Sequence, residues 1–138
     1  MSDDLYINAL VDAVCKADET AVLALISLGG DVTQVTEDDG ESLLHWASTS
    51  FESSLLVPLL ISKNCAINLK NKKGLTPLHY FVQRGYTFAV TCLLHNGADP
   101  TIMCDETKET ALDYAKKFNQ IEIEEILESY MSLISTKE

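Results

Sequence analysis

Leucines 10, 44, 78 and 112 stand 34 residues apart, and four periods of 34 fill all but two of the 138 residues. Their neighbours keep the same interval: His45 and His79 precede Trp46 and Tyr80, and Tyr114 takes the same place one period later. A fixed period between about 20 and 50 residues marks supersecondary units that bury their apolar faces against one another. This constrains the chain more than its composition does, because a fold built by repetition presents a surface, and surfaces of this kind bind.

The local chemistry says which unit repeats. Gly74-Leu75-Thr76-Pro77-Leu78-His79 places a helix-capping hydroxyl directly before a proline. Proline suits the first helical position, where its missing N–H would be unpaired anyway. Gly85, the apolar face Ala89-Val90-Leu93-Leu94 and Asn96-Gly97-Ala98-Asp99 follow, with Gly97 supplying the left-handed residue that stops a second helix. This stretch resembles the ankyrin repeat. Other units share its phase: Ser42-Leu43-Leu44-His45-Trp46-Ala47 with Leu59-Leu60-Ile61 and Asn64, and Thr110-Ala111-Leu112-Asp113-Tyr114-Ala115 with Asn119, Ile123, Ile126 and Leu127. The first keeps Leu10, Ala13, Val22, Leu25, Ile26 and Gly29-Gly30-Asp31. The resemblance implies an all-α ankyrin-repeat solenoid of stacked helix-turn-helix pairs with β-hairpin fingers. It makes residues 1–138 one domain, with repeats at about 3–36, 37–70, 71–104 and 105–138, the outer two acting as caps.

Departures from the pattern carry their own expectations. Asp3-Asp4 suit the positive end of the first helix, and Glu122, Glu124, Glu125 and Glu128 make the last helix polar on one side, as a cap requires. Lys108 in place of glycine predicts a looser fourth hairpin. Phe81, where Ala47 and Ala115 stand in other units, predicts local repacking. The apolar Tyr130, Met131, Leu133 and Ile134 predict either a tail folded back on the stack or a chain cut from a longer protein.

Composition excludes several classes. A net charge of −11 argues against nucleic acid or anionic lipid as the main partner. The charge is banded: residues 1–62 carry a net −10, residues 63–98 a net +5 and residues 99–138 a net −6. No run of about 18 apolar residues exists for membrane insertion. The acidic Met1-Ser2-Asp3-Asp4 is unlike a signal peptide, which places the protein in the cytoplasm, with the nucleus as the alternative. Cys15, Cys65, Cys92 and Cys104 lack zinc or disulfide spacing and read as reduced thiols.

No phosphate loop, zinc-protease helix or nucleophile elbow is present, so the chain reads as a non-enzyme without cofactor, metal or small-molecule substrate. The resemblance implies that His45 and His79 bond between fingers rather than act in catalysis. It also implies that Asp12, Trp46, Tyr80 and Tyr114 face the concave side. One turn further on lie Cys15, Lys16, Gln83, Arg84, Lys117 and Phe118. Trp46, Tyr80, Tyr114 and Phe118 bordered by Arg84 and Lys117 have the composition of an interface hot spot. The alternative is that these aromatics only stiffen the inner helices. The finger lysines Lys70, Lys72 and Lys73 either grip an acidic partner segment or balance the acids of neighbouring fingers.

The expected function is therefore a protein–protein interaction module, an adaptor or scaffold, using its concave face and finger tips. The alternative is an accessory segment of a larger regulator. Gly29-Gly30-Asp31-Val32, Glu37-Asp38-Asp39-Gly40, Ser54-Leu55-Leu56-Val57 and Ala66-Ile67-Asn68 resemble the ankyrin region of Arf GTPase-activating proteins. That resemblance implies that GTPase activation resides outside these residues.

Overall fold

The computed structural model describes residues 3–136. Met1 and Ser2 of the acidic start, and Lys137 and Glu138 of the fourth unit, lie outside the described residues. The first unit supplies α1 (Asp3–Cys15) and α2 (Glu19–Ser27), and the second α3 (Leu43–Trp46), α4 (Phe51–Ser54) and α5 (Val57–Ser62). The third supplies α6 (Pro77–Arg84) and α7 (Thr87–His95), and the fourth α8 (Ala111–Lys117) and α9 (Ile121–Thr136). Successive first helices touch in the order α1, α3, α6, α8, and the second helices α5, α7 and α9 run beside them in the same order. No segment among the described residues is a strand. Where hairpins were expected, tight turns stand. The amide of Thr36 donates to the Glu41 carbonyl (2.9 Å), that of Asn71 to Leu75 (2.9 Å) and that of Cys104 to Glu109 (3.0 Å). Each turn is linked to the next by one main-chain bond, Lys72 N–H to Asp39 C=O (2.9 Å) and Asp105 N–H to Lys73 C=O (3.3 Å).

The repeating leucines are the core. Leu10, Leu44 and Leu78 are buried between neighbouring units, whereas Leu112, with its unit at the end of the row, is half-buried. On α9, Ile123 and Leu127 face inward while Glu122, Glu125 and Glu128 are exposed, the polar outer side expected of a cap. The apolar tail does not fold back. It continues α9 as helix, with Tyr130 against the core and Leu133 and Ile134 63% and 38% exposed.

The second unit departs most from the pattern, and its sequence says why. Ser48 and Thr49 hydroxyls donate to the carbonyls of His45 (2.6 Å) and Trp46 (2.8 Å), competing with helix continuation, so α3 stops after one turn. Pro58, in the first turn of α5, has no N–H to give to the Ser54 carbonyl, so no continuous helix joins α4 to α5. Ser53 turns this irregularity to use: its hydroxyl lies 2.8 Å from the Val14 carbonyl and 3.2 Å from that of Cys15, tying α4 to the C-terminus of α1. The repacking expected around Phe81 involves the same unit. Phe81 is fully buried, and Tyr86 beside it meets Phe51 of α4 edge-on at 6.0 Å.

Left-handed backbone recurs with the period. In the turns, Gly40, Gly74 and Lys108 have φ of 66°, 80° and 57°. The fourth turn keeps the shape of the others, since Lys108 adopts the glycine conformation and donates its N–H to the Cys104 carbonyl at 3.1 Å. The shape is kept at a strain of about 1–2 kcal/mol, because a side chain crowds the carbonyl there. At Gly74, by contrast, space forbids a side chain: a Cβ would lie 2.5 Å from the Asp105 amide nitrogen of the next turn.

Histidines join turn to helix across units. The His45 ring Nδ1 accepts from the Ser42 N–H (3.0 Å), so its Nε2 carries the proton and donates to the Leu75 carbonyl one unit on (2.8 Å). His79 repeats this 34 residues later, with Thr76 N–H (3.2 Å) and the Glu109 carbonyl (3.0 Å). Asp113 in the third such place closes only the local half, accepting from the Thr110 N–H at 2.9 Å. Burial holds both imidazoles below their usual pKa, against the opposing pull of the carbonyls they donate to.

Two expected outcomes follow from this arrangement. In thermal melts, Lys108→Gly gains about 0.5–1 kcal/mol by relieving strain, and Gly74→Ala loses about 2 kcal/mol or more. For pH, the folded-state histidine pKa values are depressed, so the unfolded chain binds more protons below about 6.5. Stability is then full above that pH and falls as pH drops towards the folded-state values, by up to about 1.4 kcal/mol per pH unit for each ring. Denaturant titrations check this: His45→Gln and His79→Gln each remove one ring's share of the slope.

Candidate functional site

The histidines also position the aromatic side chains that follow them. Tyr80 stands edge-on to His45 of the preceding unit, ring centroids 5.4 Å apart, and Tyr114 stands likewise on His79 at 5.0 Å. The helix period thus sets Tyr80 and Tyr114 on the same side, each braced by a buried imidazole. Trp46 is half-buried against the core, and its indole Nε1 is shielded without a hydrogen-bond partner among the described residues.

Between the first helices and the turns runs a groove of adjoining recesses. One of about 450 Å³ is lined by Asn8 and Val11 of α1, Glu37, Asp38 and Asp39 of the second turn, and Trp46. The next, about 290 Å³, lies between Trp46 and Tyr80, with Asp39, Glu41, Gln83 and Arg84 on its walls. A third of about 210 Å³ passes from Tyr80 to Lys72 and Lys73. The structure therefore brings Trp46, Tyr80 and Arg84 together. Tyr114, Phe118 and Lys117 form a separate cluster: the two rings meet edge-on at 5.7 Å, and the Lys117 ammonium lies 5.8 Å and 5.7 Å from their centroids. Lys117 also pairs with Glu109 at 3.3 Å.

The phenol of Tyr80 is fixed by a three-residue network. It donates to Glu41 (2.7 Å), while the Asn71 side-chain amide reaches both Tyr80 (2.8 Å) and Glu41 (2.8 Å). Burial and then the Glu41 bond push its pKa up, so it remains a donor. Burial, with Cys104 adding, pushes Tyr114 up to about 12. Asn71 also accepts from the Lys73 and Leu75 amides (3.0 and 2.9 Å) and so shapes the third turn. Sequence reasoning missed Asp39, Glu41 and Asn71. Asn71, three residues before Gly74, carries a legible turn signal, but its reach to Tyr80 and Glu41 is a tertiary fact.

The finger lysines are largely engaged within the fold. Lys70 pairs with Asp105 at 3.1 Å and the Lys72 ammonium donates to the Glu37 carbonyl at 2.6 Å, each reaching a neighbouring turn. Both are contacts at the exposed surface, worth at most about 1 kcal/mol apiece. Lys73 and Arg84 form no ion pair among the described residues. Those residues contain no cluster suited to a metal ion and no helix long and apolar enough to cross a membrane.

Comparison with known proteins agrees with this architecture. A family model for three copies of the ankyrin repeat matches residues 44–136. The E3 ubiquitin-protein ligase hecd-1 of Caenorhabditis elegans is 34% identical over 132 residues, 94% of this chain but 5% of that protein. Human palmitoyltransferase ZDHHC13 is 37% identical over 83 residues, 59% of this chain and 13% of that protein. The C. elegans poly [ADP-ribose] polymerase tankyrase is 32% identical over 88 residues, 62% of this chain and 4% of that protein. The chain thus spans a small part of the relatives it matches, and what it shares with them is the repeated helix pair. With the matched model, the 34-residue interval and the histidine bonds between units in agreement, the chain belongs to the ankyrin-repeat family.

Proposed function

We propose that this chain is a non-enzymatic protein–protein interaction module, an ankyrin solenoid whose concave face receives another protein. The observation that carries this is the groove. Trp46 and Tyr80 line it at the same helical place in successive units, both half-exposed, Trp46 packed against the core and Tyr80 held from behind by the buried His45. A braced aromatic loses little conformational freedom on binding, which is what makes such residues energetic anchors. Tyr114, Phe118 and Lys117 provide a second contact beyond it, and Arg84 a cation between the two. Lys70, Lys72 and Lys73 border this face. Because Lys70 and Lys72 already bond to adjacent turns, their arrangement favours a charge ladder over a grip on an acidic partner.

A second reading concerns context. The relatives are multidomain proteins of which the matched region is a small fraction. That supports an accessory segment docking partners for activities carried elsewhere in a larger protein. The named relatives are a ubiquitin ligase, a palmitoyltransferase and a poly [ADP-ribose] polymerase, and they lend no support to an Arf GTPase-activating protein. The cytoplasm or nucleus suits such a module and its reduced cysteines.

Affinity capture from cell extract, wild type beside Trp46→Ala/Tyr80→Ala/Tyr114→Ala, tests the reading. We expect the triple variant to lose its partners by about tenfold or more, since each lost anchor removes about 1–2 kcal/mol. Equal retention by both proteins refutes the aromatic site. In the same assay Lys70→Ala/Lys72→Ala/Lys73→Ala keeps its partners and melts slightly lower.

A further inference from the structure

We propose that the recess in front of Trp46 takes an extended arginine- or lysine-rich segment of a partner protein; this rests on the concave-face reading and adds the chemistry of the occupant. The charge of this part of the groove is the opposite of what the basic middle band suggests. Glu37, Asp38 and Asp39 line the recess, no cation does, and none of the three carboxylates is in an ion pair among the described residues. Of the two lysines on the adjoining recess, Lys72 gives its ammonium to the Glu37 carbonyl rather than to a carboxylate, and Lys73 is in no ion pair among the described residues. The adjoining recess towards α1 adds Asp4, again without a cation, and the one towards Tyr80 adds Glu41 with Arg84 at its far wall.

Like charges along one wall that are in no direct ion pair repel each other, and a cationic guest reduces that repulsion as it binds. The opposite wall supplies the second half of the fit. Trp46 lines both main recesses, and an indole face is the strongest aromatic acceptor for a guanidinium or ammonium ion. Asn8 and Thr36 on the walls offer hydrogen bonds to an extended main chain. An acidic segment meets the carboxylates head-on. Arg84 and Lys73, the unpaired cations, lie beyond Trp46 and set the direction in which the segment runs, its basic part over Glu37 to Asp39 and its neutral or acidic part towards Tyr80.

Trp46 is the only tryptophan in the chain, so its emission reports the recess directly. A synthetic peptide of alternating arginine and serine is titrated at low and moderate salt, beside a peptide of alternating glutamate and serine. We expect the basic peptide alone to shift and saturate the emission, with affinity falling as salt rises. Glu37→Gln/Asp38→Asn/Asp39→Asn weakens binding about tenfold or more, whereas Glu122→Gln/Glu125→Gln/Glu128→Gln, which removes the same charge from exposed α9 positions, leaves it unchanged. Equal weakening by both variants means that net charge alone attracts the peptide, and overturns the proposal. So does no response of Trp46 to the basic peptide while the aromatic triple variant still loses its captured partners; the face then binds, but by other chemistry. Retention of captured partners by the aromatic triple variant overturns the concave-face reading itself, whatever the peptide does.

Discussion

The bond from a buried histidine to the main chain of the next unit is the interaction on which the rest of this structure depends. Each ring does two things at once. Its acceptor nitrogen closes the helix start of its own unit, and its donor nitrogen holds a carbonyl in the following turn, as His45 does with Leu75 and His79 with Glu109. A neutral imidazole is the side chain that can accept on one side and donate on the other in this way, so burial and function of the bond reinforce each other. The turn-to-turn bonds, the leucine core and the braced aromatics all follow from units held in that register.

Regularity and irregularity play different parts. The regular positions make the scaffold: one leucine inward, one histidine between units, one aromatic outward. The second unit breaks the pattern, with a one-turn α3, serine hydroxyls on helix carbonyls and a proline in the first turn of α5. It is also where the groove is lined by acids and by the lone tryptophan. On our reading the partner is chosen there, by departures from the repeat, and not by the repeat itself.

Much of this was legible in the residues. The interval gave the unit, Thr76-Pro77-Leu78-His79 its type, and the phase moved His45 and His79 from candidate chemistry to architecture. Asp113, in the same place one unit later, keeps only the local half of the tie. What was not legible has physical causes. That Lys108 takes the left-handed conformation of the glycines in the other turns, closed by bonds at Cys104, is a fact of the folded backbone. That the aromatics fall into two clusters, Trp46 with Tyr80 in one recess and Tyr114 with Phe118 and Lys117, is a tertiary fact. Which acids would gather around Trp46 depended on how the second turn folds over α1, a contact between segments about thirty residues apart that no local pattern encodes.

The histidine bond can be observed directly. Nitrogen-15 NMR of the imidazole rings distinguishes protonated from bare nitrogens, and scalar coupling across the hydrogen bond identifies the carbonyl. At neutral pH both His45 and His79 are expected to be neutral, protonated at Nε2 and coupled to the Leu75 and Glu109 carbonyls. Rings that are charged at that pH, or protonated at Nδ1, would contradict this.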